Sequence, residues 1–356
     1  MSDKLLEMKA KYPQTQVWID SCAEADMDYG LSRGVTGATT NPVIVGQVLQ
    51  KEMPMWENTI RALFAENPKA SEDDVAWMLI EKMAVRGCGK LNQVYEASKG
   101  ACGKMSIQAN IKNYRNAEKM LEQAVAFGAL APNIQVKMPI SAAGLKAFEE
   151  ATYRGVSVNA TVSFSVAQAV CLAEAVERGL NRRTEEGLSN EGITPVCTIM
   201  IGRVDDWLKK VVARDGLAIA PEALEWAGVA VFKKAYQIFK QRGYRTRLLT
   251  AAYRNVHHWS AFLGGDVSMT MPAKWLKIYD NSCVDIRNYM DEPVPACWLD
   301  ELNTMADFRR VYDEDGMKPE EFEHYGAFIV CLEGFFKGYD ELLKMIRPLQ
   351  FGSPLV

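Results

Sequence analysis

The chain has 356 residues, of which 48% are hydrophobic and 24% charged, and its formal net charge is −4. This composition is that of an ordinary globular protein, and the negative charge argues against a nucleic-acid-binding protein. No apolar stretch approaches the ~20 residues that span a bilayer, and no signal peptide is evident, so we expect a cytoplasmic protein without a membrane partner. The eight cysteines form no C-x-x-C pair and indicate neither a zinc nor a redox site.

Short apolar runs alternate with helical patterns from the N-terminus to about residue 280, which predicts βα units and a parallel sheet. Helical spacing is clearest at residues 116–127, 142–153, 166–178 and 221–242, and residues 65–86 form an additional helical segment. Eight strands are predicted, at residues 16–21, 35–40, 104–109, 133–138, 156–162, 195–201, 247–252 and 267–271.

Side chains alternate in polarity along these strands. In the fourth strand, Ile134, Val136 and Met138 alternate with Gln135 and Lys137. One face of a barrel strand must be apolar because it meets the surrounding helices, while the other face points into the barrel. The pattern predicts the α/β class and a (β/α)8 TIM barrel with a C-terminal helical extension.

The pattern changes after residue 280, so we divide the chain into a catalytic barrel at residues 1–280 and a helical extension at residues 281–356. Residues 291–295 read as a loop, and residues 319–347 predict one or two helices rich in aromatic side chains. The extension is expected to pack on the barrel. Its aromatic residues also suggest a homodimer contact.

Lys137 lies near the end of a strand that reads as buried. An ammonium group is costly to desolvate there, so burial and cationic neighbours would favour the neutral amine, which is a nucleophile toward carbonyls. Asp20, Asn41, Gln108, Asn159 and Thr161 also fall at strand ends, where such barrels carry their chemistry. The alternative is a buried polar network without a catalytic role, which does not require a lysine.

Five segments follow one another along the chain: Val17-Trp18-Ile19-Asp20-Ser21, Gly37-Ala38-Thr39-Thr40-Asn41-Pro42, Val136-Lys137-Met138-Pro139, Asn159-Ala160-Thr161-Val162-Ser163-Phe164-Ser165 and Ile201-Gly202-Arg203-Val204-Asp205-Asp206-Trp207. Taken in this order, they resemble the signature segments of the transaldolase family, which belongs to the Schiff-base-forming class I aldolase superfamily. The resemblance covers roughly residues 16 to 275.

The resemblance implies four catalytic residues. Lys137 would form a Schiff base with a ketose, and Asp20 would be the acid/base carboxylate, although an aspartate here could instead cap a helix. Thr161 would hold a catalytic water. Gln108 stands where transaldolases carry a glutamate, and Met200 stands where the fructose-6-phosphate aldolases of the family use a tyrosine, so the chain follows neither branch.

The resemblance also implies a substrate site. Thr39, Asn41, Asn159 and Thr198 match residues that contact the sugar. Arg203 and Arg254 match a terminal-phosphate site; a single arginine of this kind is more often a surface ion-pair former, and only the pair favours an anion.

Ala252 replaces the family's usual serine beside this anion site, so a sulfonate or another anionic group stays open. The adjacent His257 and His258 lack the spacing of a metal site, and no metal or cofactor is expected because the lysine is itself the electron sink.

The predicted function is therefore a transaldolase that passes a dihydroxyacetone unit from an anionic ketose to an aldose acceptor, in carbohydrate metabolism such as the pentose phosphate pathway. Sugar phosphates are the expected partners. Two alternatives stay open: an aldolase of the same family that releases free dihydroxyacetone, and a barrel that binds sugar phosphates without catalysis.

Overall fold

The structure is a computed structural model, and it describes residues 3–351. Within that range, eight parallel strands close into a barrel in the order β1 to β8, with β8 paired to β1. The strands are β1 (Gln16–Ile19), β2 (Gly37–Thr39), β3 (Lys104–Gln108), β4 (Ile134–Pro139), β5 (Val158–Thr161), β6 (Val196–Ile199), β7 (Arg247–Thr250) and β8 (Ser268–Met271). Each lies inside or within one residue of its predicted range, so the predicted (β/α)8 barrel is confirmed.

Helices follow the strands and form an outer layer. They are α1 (Lys4–Lys11), α2 (Glu24–Ser32), α3 (Pro42–Glu66), α4 (Glu72–Ala97), α5 (Ala117–Gly128), α6 (Ala142–Tyr153), α7 (Val166–Glu185), α8 (Ile201–Asp215), α9 (Pro221–Leu224), α10 (Ala227–Arg242), α11 (His257–Ser260), α12 (Ala273–Asp280), α13 (Ala296–Leu302), α14 (Ala306–Tyr312) and α15 (Gly326–Ile346). Short 3₁₀ helices lie at Ile111–Asn113, Pro319–His324 and Arg347–Gln350. None of the described helices is long and apolar enough to cross a membrane.

Local sequence explains where the long helices after β2 begin. Asn41 caps α3 by accepting a hydrogen bond from the Ile44 amide at 3.0 Å, and Pro42 occupies the first turn, where no amide donor is needed. Ser71 and Asp74 form a reciprocal capping box at the start of α4. The helical elaboration predicted at residues 65–86 corresponds to α4, which begins later, at Glu72, and extends to Ala97; residues 67–71 connect it to α3 and are not helical.

The lower part of the barrel interior is filled rather than open. Trp18, Val196, Leu249 and Ala251 form a separate apolar cluster inside the ring of strands. Gly37 makes room for this cluster, because a Cβ there would lie 2.7 Å from the Trp18 ring. The packed interior leaves the carboxyl ends of the strands as the place for a site.

The C-terminal segment packs on the barrel, as expected. Near its start α15 lies against α8, where a Cβ on Gly326 would clash with Trp207, and near its end it meets α3, where Met345 lies beside Gly46. Most aromatic residues of this segment are buried against the protein itself, including Phe322, Phe328 and Tyr339. They therefore give no separate reason to expect a dimer, and the homodimer stays a prediction, as does the division at residue 280.

Candidate active site

Lys137 lies at the carboxyl-terminal half of β4 with only 5% of its surface exposed. The strand register pairs it with Gln108 on β3 and with Asn159 on β5. All three side chains have the inward parity of their strands, and the other two are fully buried. The barrel therefore holds the amine in a layer of polar groups that is shielded from solvent.

Burial lowers the pKa of the Lys137 amine, while the negative charges that Asp20 and Cys331 carry when ionised act to raise it. The cationic neighbours expected from the sequence are thus not the cause; the groups that influence this amine are acidic. The direction of the shift still matches the expectation, because desolvation is the largest contribution. A larger share of Lys137 is neutral at a given pH than for an exposed lysine.

Asp20 follows β1 at the mouth of the barrel. Its carboxylate accepts a hydrogen bond from Thr39 Oγ1 at 2.5 Å, and that hydroxyl also lies 2.6 Å from the Thr270 hydroxyl on β8. Burial raises the pKa of Asp20, and Lys137 and the Thr39 hydrogen bond partly offset the rise. Thr39, predicted to contact the sugar, is placed to orient this carboxylate.

Gln108 has neither amide atom in a hydrogen bond, and both atoms are buried, within the part of the chain that the structure describes. Leaving a buried amide unpaired costs about 1–3 kcal/mol per group. A side chain in that state, one strand away from Lys137, is suited to a water or substrate hydroxyl. Between residues 3 and 351, the Thr161 hydroxyl has one side-chain hydrogen-bond partner, and it is a weak one, Met200 Sδ at 3.9 Å.

The two predicted amide contacts differ in how they are held. Asn159 is fixed on both sides: its Nδ2 donates to Ser106 Oγ at 2.9 Å, and its Oδ1 accepts from Thr198 Oγ1 at 2.7 Å. Asn41 uses its carbonyl oxygen to cap α3, which leaves only its amide donors for a ligand. The network joins β3 and β5, which flank the strand of Lys137, to β6.

Arg203 lies in the first turn of α8, after β6, and Arg254 lies in the neighbouring loop after β7. Gly202 permits this close approach, because a Cβ there would lie 1.8 Å from the Ala252 carbonyl oxygen and 2.9 Å from Arg254 Cγ. Among residues 3–351, the buried Nε of Arg203 has no hydrogen-bond partner. The guanidinium of Arg254, in contrast, is held in an ion pair, since its Nη2 donates to Asp206 Oδ2 at 2.6 Å.

Two strand ends at the site carry left-handed backbone. Val162, directly after Thr161, has φ of 53°, and Ala252, two residues before Arg254, has φ of 68°. Such a conformation costs an L-residue about 1–2 kcal/mol, most of all a β-branched one. Strain of this kind is concentrated at functional sites, which agrees with the placement of both residues.

The helix α15 also contributes to the site. Cys331 is 1% exposed, and its thiol lies 3.8 Å from Met200 Sδ. Burial raises the pKa of the Cys331 thiol to about 11, although Arg203 and Lys137 act to lower it. A neutral thiol from outside the barrel proper therefore lies near the amine.

A cavity of about 430 Å³ opens beside Asp20, between α3 and α12. Lys51, Lys274 and Lys277 line it together with Asp20 and Asp26. Among the described residues, Lys51 is the only one of the three lysines within 4 Å of a carboxylate, with Asp26 at 3.9 Å. Arg203 lines a second cavity of about 260 Å³ between α8 and α15. Both cavities offer positive charge to an anionic group.

The profile of the family described as "Transaldolase/Fructose-6-phosphate aldolase" matches residues 17–318. The chain belongs to this family. Its curated relatives include the transaldolase of Acidothermus cellulolyticus, which is 27% identical over 260 residues, 68% of this chain and 66% of that protein. The transaldolase of Mycolicibacterium smegmatis is 29% identical over 63% of this chain and 62% of that protein. The chain thus spans slightly less than two thirds of the length of these transaldolases.

Sequence reasoning missed several residues of this transaldolase-family site. Thr270 and Ser106 have the inward parity of their strands, so the same alternation could have identified them. Cys331 gave no such signal, because it comes from a helix whose docking position cannot be inferred from a strand pattern. The roles of the predicted site residues stay predictions, although the structure gathers them at the carboxyl ends of the strands.

Proposed function

We propose that this protein is a transaldolase that transfers a dihydroxyacetone unit from a phosphorylated or otherwise anionic ketose to an aldose acceptor through a Schiff base on Lys137. The observation that carries the proposal is a buried lysine amine with a lowered pKa inside a barrel of this family. The amine interacts electrostatically with the carboxylate of Asp20. An amine of this kind is poised to attack a carbonyl near neutral pH.

The proposed reaction begins when neutral Lys137 attacks the C2 carbonyl of the ketose. Loss of water gives an iminium ion, which draws the electrons of the C3–C4 bond as Asp20 accepts the proton of the C4 hydroxyl. The aldehyde leaves, and a three-carbon enamine stays on the lysine. An acceptor aldehyde then forms the new C–C bond, its oxygen takes the proton back from Asp20, and water releases the product ketose.

The proton transfers rest on Asp20 rather than on Gln108. A glutamine amide can position a water but cannot exchange a proton at these pH values. Burial raises the pKa of Asp20, which brings this carboxyl closer to the working pH and favours its cycling between acid and base. The unpaired amide of Gln108 supports a role in holding the water that leaves and later returns.

The alternative activity is that of an aldolase, in which the enamine is protonated and free dihydroxyacetone is released. Gln108 is the observation that favours it, since the glutamate of transaldolases is absent at this position. The two activities share every step up to the enamine. They differ in whether an acceptor or a proton reaches C3 first.

The test is to incubate the protein with fructose 6-phosphate or a sulfonated ketose, reduce with borohydride, and map the modified residue by mass spectrometry. We expect a three-carbon adduct on Lys137. Turnover of fructose 6-phosphate should depend on erythrose 4-phosphate, and turnover of a sulfonated ketose should depend on erythrose 4-phosphate or glyceraldehyde 3-phosphate. Turnover without an acceptor would assign the aldolase instead. An unmodified Lys137 across a panel of anionic ketoses would leave a binding protein and refute catalysis.

Two sets of variants complete the design. Lys137→Arg retains the positive charge and should give no adduct; an adduct in that variant would refute the assignment. Arg203→Ala and Lys274→Ala each remove one positive charge, the first from the cavity between α8 and α15 and the second from the cavity beside Asp20. The variant with the higher KM for the phosphorylated sugar identifies the cavity that binds the anion.

A further inference from the structure

His258 and Asp205 form a buried pair beside the proposed anion site. Both side chains are fully buried, and His258 Nε2 lies 2.7 Å from Asp205 Oδ2. The two residues come from different elements: Asp205 from the second turn of α8 after β6, and His258 from α11 after β7. The pair therefore joins α8, which carries Arg203, to the segment after β7 that carries Arg254.

The hydrogen bonds of the imidazole fix its tautomer. His258 Nδ1 accepts the backbone N–H of Arg254 at 2.9 Å, so in the neutral ring the proton is on Nε2. The neighbours of Nε2 are Asp205 Oδ2 and, at 3.2 Å, the amide nitrogen of Asn255. Only the carboxylate can accept, so Nε2 donates to Asp205.

Asp205 is anchored in turn. Its other oxygen, Oδ1, accepts the backbone N–H of Gly228 at 2.8 Å, at the start of α10. The chain of bonds runs from α10 through the carboxylate and the imidazole to the backbone of Arg254. With both ring nitrogens engaged and no exposed surface, His258 is not available as a general base or a metal ligand.

Two sets of hydrogen bonds therefore connect Arg254 to α8. Its backbone N–H is held through His258 by Asp205, and its guanidinium is held directly by the next residue, Asp206. Arg203 lies in the first turn of the same helix. The geometry fixes the position of one arginine relative to the other, which matters because binding of an anion by two guanidinium groups depends on their spacing.

We propose that the His258–Asp205 pair is a positioning device that sets Arg254 against Arg203 and so determines the selectivity of this protein for ketoses with an anionic end. The inference rests on the proposed function for the identity of the substrate. Neither residue touches the substrate or the reacting atoms. Loss of the pair should weaken binding of the charged end and leave the chemistry at Lys137 intact.

The decisive variant is Asp205→Asn. We expect the asparagine to keep its oxygen on the Gly228 N–H and to present its amide to Nε2, which forces the proton of the ring onto Nδ1 and removes the acceptor for Arg254. KM for a phosphorylated ketose should rise roughly 10- to 100-fold. Borohydride trapping of uncharged dihydroxyacetone on Lys137 should proceed at the wild-type rate.

Two substitutions of the histidine form a matched pair. In His258→Asn the side-chain oxygen occupies the place of Nδ1 and can still accept from Arg254, whereas the longer side chain of His258→Gln reaches only the place of Nε2. We expect the glutamine variant to resemble Asp205→Asn and the asparagine variant to lie closer to wild type. Nitrogen chemical shifts of the histidine rings report the tautomer directly, and the chain has only three histidines to assign.

Equal losses for charged and uncharged substrates in all three variants would overturn the proposal and leave a merely structural pair. An Nδ1-protonated ring in the wild-type protein would overturn it as well. The proposed function fails separately, if wild-type protein forms no adduct on Lys137. In that event, titration with inorganic phosphate still tests the pair, because Asp205→Asn should weaken phosphate binding while Arg203→Ala serves as the reference.

Discussion

At the scale of single residues, the proposed site depends on the amine of Lys137 and the carboxyl of Asp20. Burial disfavours the charged form of both groups. Burial moves the pKa of Lys137 downward and that of Asp20 upward, and each group's charge acts against the shift of the other. In a buried pair of this kind, the pKa of each group lies closer to the working pH than it would in water, and the neutral form of each is favoured. That is the condition under which a lysine attacks a carbonyl and a carboxyl exchanges protons.

Asp20→Asn should shift the pH dependence of imine formation to lower pH. The carboxylate raises the pKa of Lys137, so its removal lets the amine lose its proton at lower pH. The measurement is the rate of borohydride trapping of dihydroxyacetone against pH, which requires no C–C cleavage. Asp26→Asn, in the same cavity but not among the groups that shift Lys137, is the control. A midpoint that moves upward in Asp20→Asn would contradict the assignment.

The alternation of polar and apolar residues placed Lys137, Gln108 and Asn159 correctly on the inner face, because side-chain direction in a strand is a local property with a period of two. The hydrogen bonds of those residues could not be predicted this way. Thr39 was expected to contact the sugar, but its partner Asp20 is reached only through the register between β1 and β2. Contacts across strands depend on closure of the barrel, which the sequence of a single strand does not encode.

At the scale of elements, the close packing of α15 against α3 depends on a glycine, Gly338, at the contact. A Cβ on Gly338 would lie 2.3 Å from Val43 Cγ2 and 3.2 Å from its Cα, so the backbones meet closely at this point. The glycine is inside a helix and has no unusual φ, so its role is steric rather than conformational. The same helix carries Cys331 to the site.

Gly338→Ala should destabilise the protein by about 1–3 kcal/mol, because the added methyl group overpacks the contact with α3. The shift of α15 should also lower activity by moving Cys331 from Met200. Gly334→Ala is the matched control on the same helix: nothing lies within 4 Å of its Cβ position, so the substitution should stabilise by about 0.5–1 kcal/mol. The denaturant midpoints of the two variants, compared with that of the wild-type protein, test both predicted stability changes. Equal midpoints for Gly338→Ala and Gly334→Ala would refute the steric role of Gly338.

Element boundaries were predicted well where periodicity is strong and less well where packing decides. The range 142–153 coincides with α6, whereas the helix predicted at 221–242 is divided into α9 and α10. The break lies at Glu225 and Trp226, and the Trp226 ring stacks on His257 with centroids 4.1 Å apart. That interruption reflects a tertiary contact, which local propensity cannot report.

At the scale of the whole molecule, the barrel and the C-terminal segment share one apolar core. A single cluster of buried residues extends from the strands and their helices to Phe328, Leu332 and Ile346 in α15. The predicted division at residue 280 falls at the end of α12, where Asp280 accepts the Leu5 amide at 3.2 Å and is 3.4 Å from Arg33. Within residues 3–351, this apolar cluster therefore extends across the predicted division, which stays a prediction.

A fragment ending at residue 280 should therefore fail to fold stably, because it would expose the apolar surface that α15 covers. The full chain should unfold in one cooperative transition, with tryptophan fluorescence and far-UV circular dichroism giving the same midpoint. The fragment can be compared with a chain truncated only after residue 351, which keeps every described element. A fragment of residues 1–280 with native near-UV dichroism would establish two separate domains instead.

The location of Cys331 has an evolutionary corollary. The match to the family profile ends at residue 318, yet this thiol comes from a helix that begins at Gly326. One wall of the proposed site is therefore supplied by a segment outside the matched region. Exchanging that part between relatives would remodel the chamber while leaving its lysine, its carboxylate and its ring of strands untouched, which offers a route by which new sugar preferences arise.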